Sequence, residues 1–402
     1  MKHQLGFLSG SPQISTRPDA GTIGARAHIL GVIRAFERLN WEVKPFIVGD
    51  RVPRQLVNVG SEQGVRRRFL FALAADLMLP VLGAVNARRA WRELGRRVDW
   101  VYERYSPFNS MGQVFKRHGI PWILELNEPV LRREPAPYKG KANKTNIVLS
   151  GLARRLEIRT FKKCDVLVCI SGTLKEIIVR EAGIPPAKVM VVPNAVDSEV
   201  FNPETCEPKR IFAGFTVGYV GGLYPRQGLE LMIEALSELR AEGAEISLVV
   251  VGEGTMRAPW EALARRLGGF EHVAFVGRVQ WREVPRFIAG FDLGYYGQLR
   301  PREMEMYHSP LKLYEYMAMA KPVLASEFED ARRVIRNEET GFLFQPNDKE
   351  DLKRVLKQAY GSRNELPKMG SKAREEIVSK HDWLARVRDI ISAVEDQVVK
   401  SR

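Results

Sequence analysis

Only three cysteines, Cys164, Cys169 and Cys206, occur in 402 residues, and no two of them form a C-x-x-C pair. That scarcity supports neither a disulfide framework nor a zinc site, and a cytosolic, reducing setting fits best. Long apolar runs are missing too. Residues 5–8 are too short a run for a signal peptide and read as a first strand. Residues 69–82 fall short of the ~20 needed for a spanning helix and are interrupted by Asp76 and Pro80. There is no D-x-D pair to hold a divalent cation, so no metal ion is expected, and no repeat or low-complexity segment is apparent. Acid is in deficit: 62 Lys and Arg against 48 Asp and Glu leave a charge of +14. The excess favours anionic partners such as sugar nucleotides, lipid phosphates, membrane surfaces or nucleic acid.

What is present is globular. Hydrophobic residues at 45% and charged residues at 27% exclude long disorder, and the length suffices for two domains with their own cores. Buried-strand patterns at residues 43–48, 100–103, 122–126, 166–170 and 189–192 alternate with helical ones at 29–39, 151–162 and 173–182. The pattern resumes with strands at 216–220, 246–251, 273–276 and 293–296, and helices at 229–241 and 282–291. Such alternation predicts α/β architecture with doubly wound parallel sheets, whose ligands bind beyond the carboxyl ends of the strands. Residues 198–214 are rich in proline and charge without apolar periodicity, and read as a linker. The expected division is 1–197, linker 198–214, 215–380, and a final helical segment 381–402.

The most informative stretch is residues 309–326. Ser309 before Pro310 reads as an N-cap and first helical residue, predicting a helix over residues 310–319. Its first amides, on Leu311 and Lys312, together with the Lys312 ammonium, suit an anion such as a phosphate. Glu315 shares a face with Lys312 and could accept hydrogen bonds from two vicinal hydroxyls, as on a ribose. An ordinary Lys–Glu surface pair is the plain alternative. Gly24, in the first strand–helix loop, and Gly221 and Gly222, after the strand at 216–220, would let a phosphate or sugar approach backbone. The first loop lacks a full G-x-G-x-x-G. His28 reads as a satisfied helix-surface histidine. Residues 66–97 join an apolar core to many arginines, and either rest on an anionic leaflet or pack on the sheet with solvated arginines.

The string K-L-Y-E-Y-M-A-M-A-K-P-V from Lys312 resembles the sugar-nucleotide signature of retaining family 4 glycosyltransferases, in the branch that makes bacterial surface polysaccharides. The V-V-P-N-A-V-D run ending at Asp197, and the segments at Glu103-Arg104, Asn127 and Ser171, resemble the same family. The resemblance implies the GT-B architecture: two Rossmann-like domains facing a cleft, with a final helix returning to the first. It also implies sugar transfer from a nucleotide diphosphate sugar to a glycan or lipid-linked hydroxyl, with retention and without cofactor. Lys312, Glu315 and Arg226 would be catalytic. Gly24, Gly221, Gly222, Arg278, Ser309, Pro310 and Leu311 would hold the donor. Glu103, Arg104, Asn127 and Ser171 would lie on the acceptor side, although a capping or structural role is equally open for each. The chain departs from the pattern at Tyr307, where relatives carry Glu, at Gln227, where they carry Lys, and at Ala320, where most carry Gly. Arg226 is expected to replace the missing lysine. A sugar-nucleotide epimerase and a non-catalytic sugar-nucleotide sensor are the alternatives; specific nucleic-acid recognition, which only the charge suggests, is not expected.

Overall fold

Buried parallel strands are written as unbroken apolar runs because both faces are covered; Ile246–Val251, ISLVVV, is buried at all six positions. The computed structural model describes residues 2–17, 24–53, 69–132, 149–300 and 306–400. Backbone contacts divide the chain into two units, residues 1–193 with 386–402, and residues 194–385. The first runs β1 (Gln4–Ser9), α1 (Gly24–Arg38), β2 (Glu42–Ile47), α2 (Phe69–Leu94), β3 (Trp100–Arg104), α3 (Gly112–Lys116), β4 (Trp122–Leu126), α4 (Ser150–Lys163), β5 (Val166–Cys169), α5 (Gly172–Ala182) and β6 (Val189–Val191). The second continues β7 (Phe215–Val220), α6 (Leu229–Ala241), β8 (Ile246–Val251), α7 (Arg257–Arg266), β9 (Val273–Gly277), α8 (Val284–Ala289), β10 (Leu293–Tyr296), α9 (Leu311–Ala318), β11 (Val323–Ser326), α10 (Glu329–Val334), β12 (Gly341–Phe344), α11 (Lys349–Gly361), α12 (Leu366–Lys380) and the start of α13 (Trp383–Lys400).

Among the described residues each unit holds one six-stranded sheet, ordered β2-β1-β3-β4-β5-β6 and β12-β11-β10-β7-β8-β9. All named pairings are parallel. Read from its far edge, the second order is the Rossmann order, with its direction reversing between β7 and β10. The first reverses between β1 and β3. Ligands of such sheets sit outside the carboxyl ends at these reversals.

Three helices escaped the sequence pattern: α3 and α10 span five and six residues, and α7 carries a proline. Helix α12 starts with proline in its first turn and buries Leu366, Met369, Gly370, Ala373 and Ile377. The 282–291 pattern shrinks to α8 behind a 3₁₀ turn. Residues 198–214 carry one 3₁₀ turn and lie on the second unit: Ser198 donates its amide and hydroxyl to Asp382 (3.0 and 2.6 Å), and the Lys209 amide donates to the Arg286 carbonyl (2.8 Å).

Candidate active site

Helix α9 is fixed over the β7/β10 reversal by one tyrosine. The Tyr316 ring lies on Gly294 of β10, where a β-carbon would come within 2.5 Å of it. Its hydroxyl accepts the Val220 amide at the end of β7 at 2.7 Å. With Leu313, Tyr314, Tyr316, Met317 and Ala318 buried, Leu311, Lys312 and Glu315 are left on the partly open face.

The expected start of this helix is corrected. Pro310 is the N-cap and the helix runs Leu311–Ala318, without a side-chain cap. Ser309 cannot cap because tertiary partners hold it. Its hydroxyl donates to Asp330 (2.7 Å) and accepts the Asn194 amide (2.9 Å), while the Asn194 side chain donates to its carbonyl (2.5 Å). Asp330 also accepts from the Tyr314 hydroxyl and the Arg333 guanidinium. This buried network sets the approach to the helix tip, whose first amides have no intrahelical acceptor.

Lys312 lies across the end of β7. Its Nζ sits 4.0 Å from the Tyr219 ring centroid and 3.2 Å from Gln227 Oε1, which also lies 2.9 Å from the Tyr219 hydroxyl. A β-carbon on Gly221, at φ +146°, would stand 2.8 Å from that Nζ, so glycine is needed for the lysine to occupy this place. Gly222, beside it, is exposed. Among the described residues the Glu315 carboxylate has no hydrogen-bond or ion-pair partner. Lys312 and Glu315 keep some surface open to water, yet both sit deep among protein atoms. Burial draws the Lys312 pKa down to about 7 and pushes that of Glu315 up to about 7, each partly opposed by the other's charge.

The other residues expected on this side are placed as follows. Arg226 has φ +76° on the loop before α6, and its carbonyl accepts the Leu299 amide at 2.8 Å. Lys312 pairs with Gln227 rather than with Arg226. Arg278 is exposed and follows β9. Tyr307 is buried against His308, with ring centroids 5.0 Å apart.

In the first unit the carboxyl ends of β3 and β4 hold a tighter cluster. Arg104 and Glu125 face each other in register. Buried Glu125 lies 2.5 Å from Nε2 of His28 on α1, accepts from Asn127 Nδ2 at 2.8 Å, and has the Arg104 guanidinium at 3.9 Å. Burial alone would raise the Glu125 pKa, but His28, Arg104 and Asn127 together hold it at about 2. His28 is therefore a buried ion-pair partner, which corrects its reading as a surface residue. Alternation along β3 turns Glu103 to the opposite face. There it accepts the amides of Met111 (2.6 Å) and Gly112 (2.9 Å) and the Ser110 hydroxyl (3.1 Å). Burial still pushes its pKa up to about 7 against those donors. Ser171 is the N-cap of α5, accepting the Leu174 amide at 3.1 Å. Gly24 opens α1 and is exposed.

The geometry thus brings together Gly221, Leu311, Lys312 and Glu315 in one unit, and Arg104 and Asn127 in the other. Sequence reasoning missed Glu125 as the centre of the second group, and Tyr219 and Gln227 as the bed of Lys312. The Gln227 departure was the one signal available.

Two Rossmann-like units, one with an anion-ready helix at its strand reversal, define a protein of the GT-B class. Residues 213–376 match the family described as Glycosyl transferases group 1, and residues 23–200 match Glycosyltransferase Family 4. Each of these two glycosyltransferase family models matches less than half of the chain. It is 23% identical over 206 residues to the putative teichuronic acid biosynthesis glycosyltransferase TuaH of Bacillus subtilis, covering 50% of this chain and 49% of that protein. It is also 23% identical over 239 residues to a GDP-mannose-dependent phosphatidylinositol monomannoside mannosyltransferase of Mycobacterium tuberculosis, covering 58% and 62%. The chain thus spans less than two thirds of either relative. The crystal structure of Anabaena HepE in complex with UDP superposes with a TM-score of 0.66 at 17% identity, covering 98% of this chain and 100% of that one. That likeness is one of fold.

Proposed function

We propose that the chain moves a hexosyl group from a nucleotide diphosphate sugar to a hydroxyl of a glycan or lipid-linked acceptor, with retention of configuration. The observation that carries this reading is the pair on α9: a lysine drawn toward neutrality, held by one amide oxygen and a ring, and a carboxylate without a partner among the described residues, on one face at a helix tip. The ligand's charge would restore the lysine, and its hydroxyls would supply the carboxylate's missing donors. The diphosphate would take the Leu311 and Lys312 amides and the Lys312 ammonium, and Glu315 would accept from two ribose hydroxyls. Gly221 and Gly222 let the sugar phosphate approach backbone, Ser309 and Pro310 set the loop, and the backbone at Arg278 reads the base. Arg226 is assigned to the leaving diphosphate.

In the reaction the bond between the anomeric carbon and the diphosphate oxygen breaks, and the acceptor oxygen bonds to that carbon on the same face. The acceptor proton passes to the departing diphosphate. The costly charge is the diphosphate's, and fixed donors aimed at it lower the barrier electrostatically. Arg104 and Asn127 are assigned to the acceptor, Gly24 to the donor, and Glu103 and Ser171 to positioning the loops that follow their strands. The printed names of TuaH and of the mycobacterial relative, and the UDP bound to HepE, support a nucleotide-sugar donor and a surface-glycan or lipid acceptor. They favour neither the epimerase nor the sensor.

Membrane contact belongs to the same proposal. Helix α2 exposes Leu77, Met78, Val81 and Leu82, at 58%, 59%, 64% and 48%, ahead of exposed Arg88, Arg89 and Arg92. An apolar face continued by arginines suits an anionic leaflet. Arg66, Arg67 and Arg68 of the same stretch lie outside the described residues. Among the described residues no helix is long and apolar enough to cross a membrane.

The test is a panel of nucleotide sugars scored by thermal shift and by transfer. One donor should raise the melting temperature by mass action, and Glu315→Ala should remove both the shift and the turnover. Wild-type turnover in that variant would overturn the assignment.

A further inference from the structure

At the opposite pole of the second unit, the amino-terminal starts of β7, β10 and β11 border a cleft of about 520 Å³. That volume is in the range of small-molecule sites, roughly 300–1,000 Å³. Its lining includes Lys321, Arg363, Arg210 and Asp292, with apolar surface from Phe215 and Met319 among others.

The charges do not balance. Asp292 is fully engaged: it accepts from both Arg210 Nη atoms (3.3 and 2.7 Å) and from the Thr216 amide (2.8 Å). Arg210 gives two more of its five donors to the carbonyls of Phe212 and Gly214. That pair is therefore closed. The Lys321 ammonium, by contrast, has no hydrogen-bond or ion-pair partner among the described residues. Arg363 gives one nitrogen to the Tyr360 carbonyl (3.1 Å) and stacks over the Tyr360 ring, and has no ion-pair partner among the described residues. Burial lowers the Lys321 pKa although Asp292 pulls it upward, with Arg210 adding to the fall. A half-buried ammonium and an exposed guanidinium lining one cleft, with apolar surface between the charged groups of its wall, have the makeup of an oxyanion site.

We infer that this cleft binds a small organic phosphate, held by Lys321 and Arg363, at a site separate from the one on α9. The inference does not rest on the glycosyl-transfer reading. Lys321 lies just past the end of α9, whose eight residues rise about 12 Å. The two sites would thus lie at opposite ends of one helix, and any effect of one ligand on the other's affinity must be reciprocal.

The experiment is calorimetric titration of pyrophosphate into the full chain carrying Lys312→Met, which removes the α9 cation. Binding should persist there, and should weaken at least tenfold when Lys321→Met or Arg363→Gln is added. Lys321→Arg should retain most of it. Should Lys321→Met fail to fold, the exposed Arg363→Gln decides alone. Loss of all pyrophosphate binding in Lys312→Met, or unchanged binding when both cleft cations are replaced, would overturn the inference while leaving the α9 reading intact.

Discussion

Two carboxylates at the carboxyl ends of strands, Glu125 in the first unit and Glu315 beside β7 in the second, have opposite fates. Glu125 is surrounded by a histidine, an arginine and an asparagine, and stays ionised at about 2. Glu315 has no comparable partner and is pushed up to about 7. A folded chain rarely keeps an uncompensated carboxylate without use for it. The committed group holds the scaffold; on the proposed function, the other waits for the donor's hydroxyls.

The sharpest way to break this contrast is His28→Ala. Removing His28 leaves the buried carboxylate only Asn127 and the more distant Arg104, and the loss should be about 3 kcal/mol, read from denaturant unfolding. A loss below about 1 kcal/mol would mean Glu125 is not committed. Glu315→Gln should behave oppositely, with unchanged or slightly higher stability but donor affinity down on the order of 100-fold, about 3 kcal/mol from two hydrogen bonds to a charged group. Calorimetry with the best nucleotide sugar measures it. Tyr316→Phe orphans the Val220 amide and should cost about 1–3 kcal/mol, with a weaker donor because α9 loses its anchor.

The smallest effects are in pH. Glu125, depressed in the fold, contributes stability that is present above its ordinary 4.5 and lost as pH falls toward about 2. Glu315, raised in the fold, contributes in the other direction: its term is present below 4.5 and lost as pH climbs through about 7. Donor affinity should fall below about 7 as Glu315 gains a proton, and above about 7 as Lys312 loses one. Glu315→Gln should erase the acid limb. It should also move the alkaline limb lower, because Glu315 is what holds the lysine's proton affinity up.

The strands were legible because parallel strands buried on both faces leave unbroken apolar runs, as in β5 and β8. The position of the α9 tip was legible because Ser-Pro and the Lys–Glu spacing are local. What failed was whatever a distant partner decides. Ser309 looks like a cap until Asp330, twenty-one residues on, takes its hydroxyl. His28 looks exposed until Glu125, ninety-seven residues away, faces it. Gln227 looked like a lost charge, and only the fold shows it cradling the lysine. Short helices such as α3 and α10 offer too few turns for a periodic signal.

Gly221 has a further consequence for anyone reshaping this protein by directed evolution. At φ +146° every other residue is strained there, and its β-carbon would push the end of the Lys312 side chain aside. Libraries aimed at new sugars should leave that position alone and vary Tyr224 first, because its ring lies where a β-carbon on Gly222 would come within 2.4 Å of it.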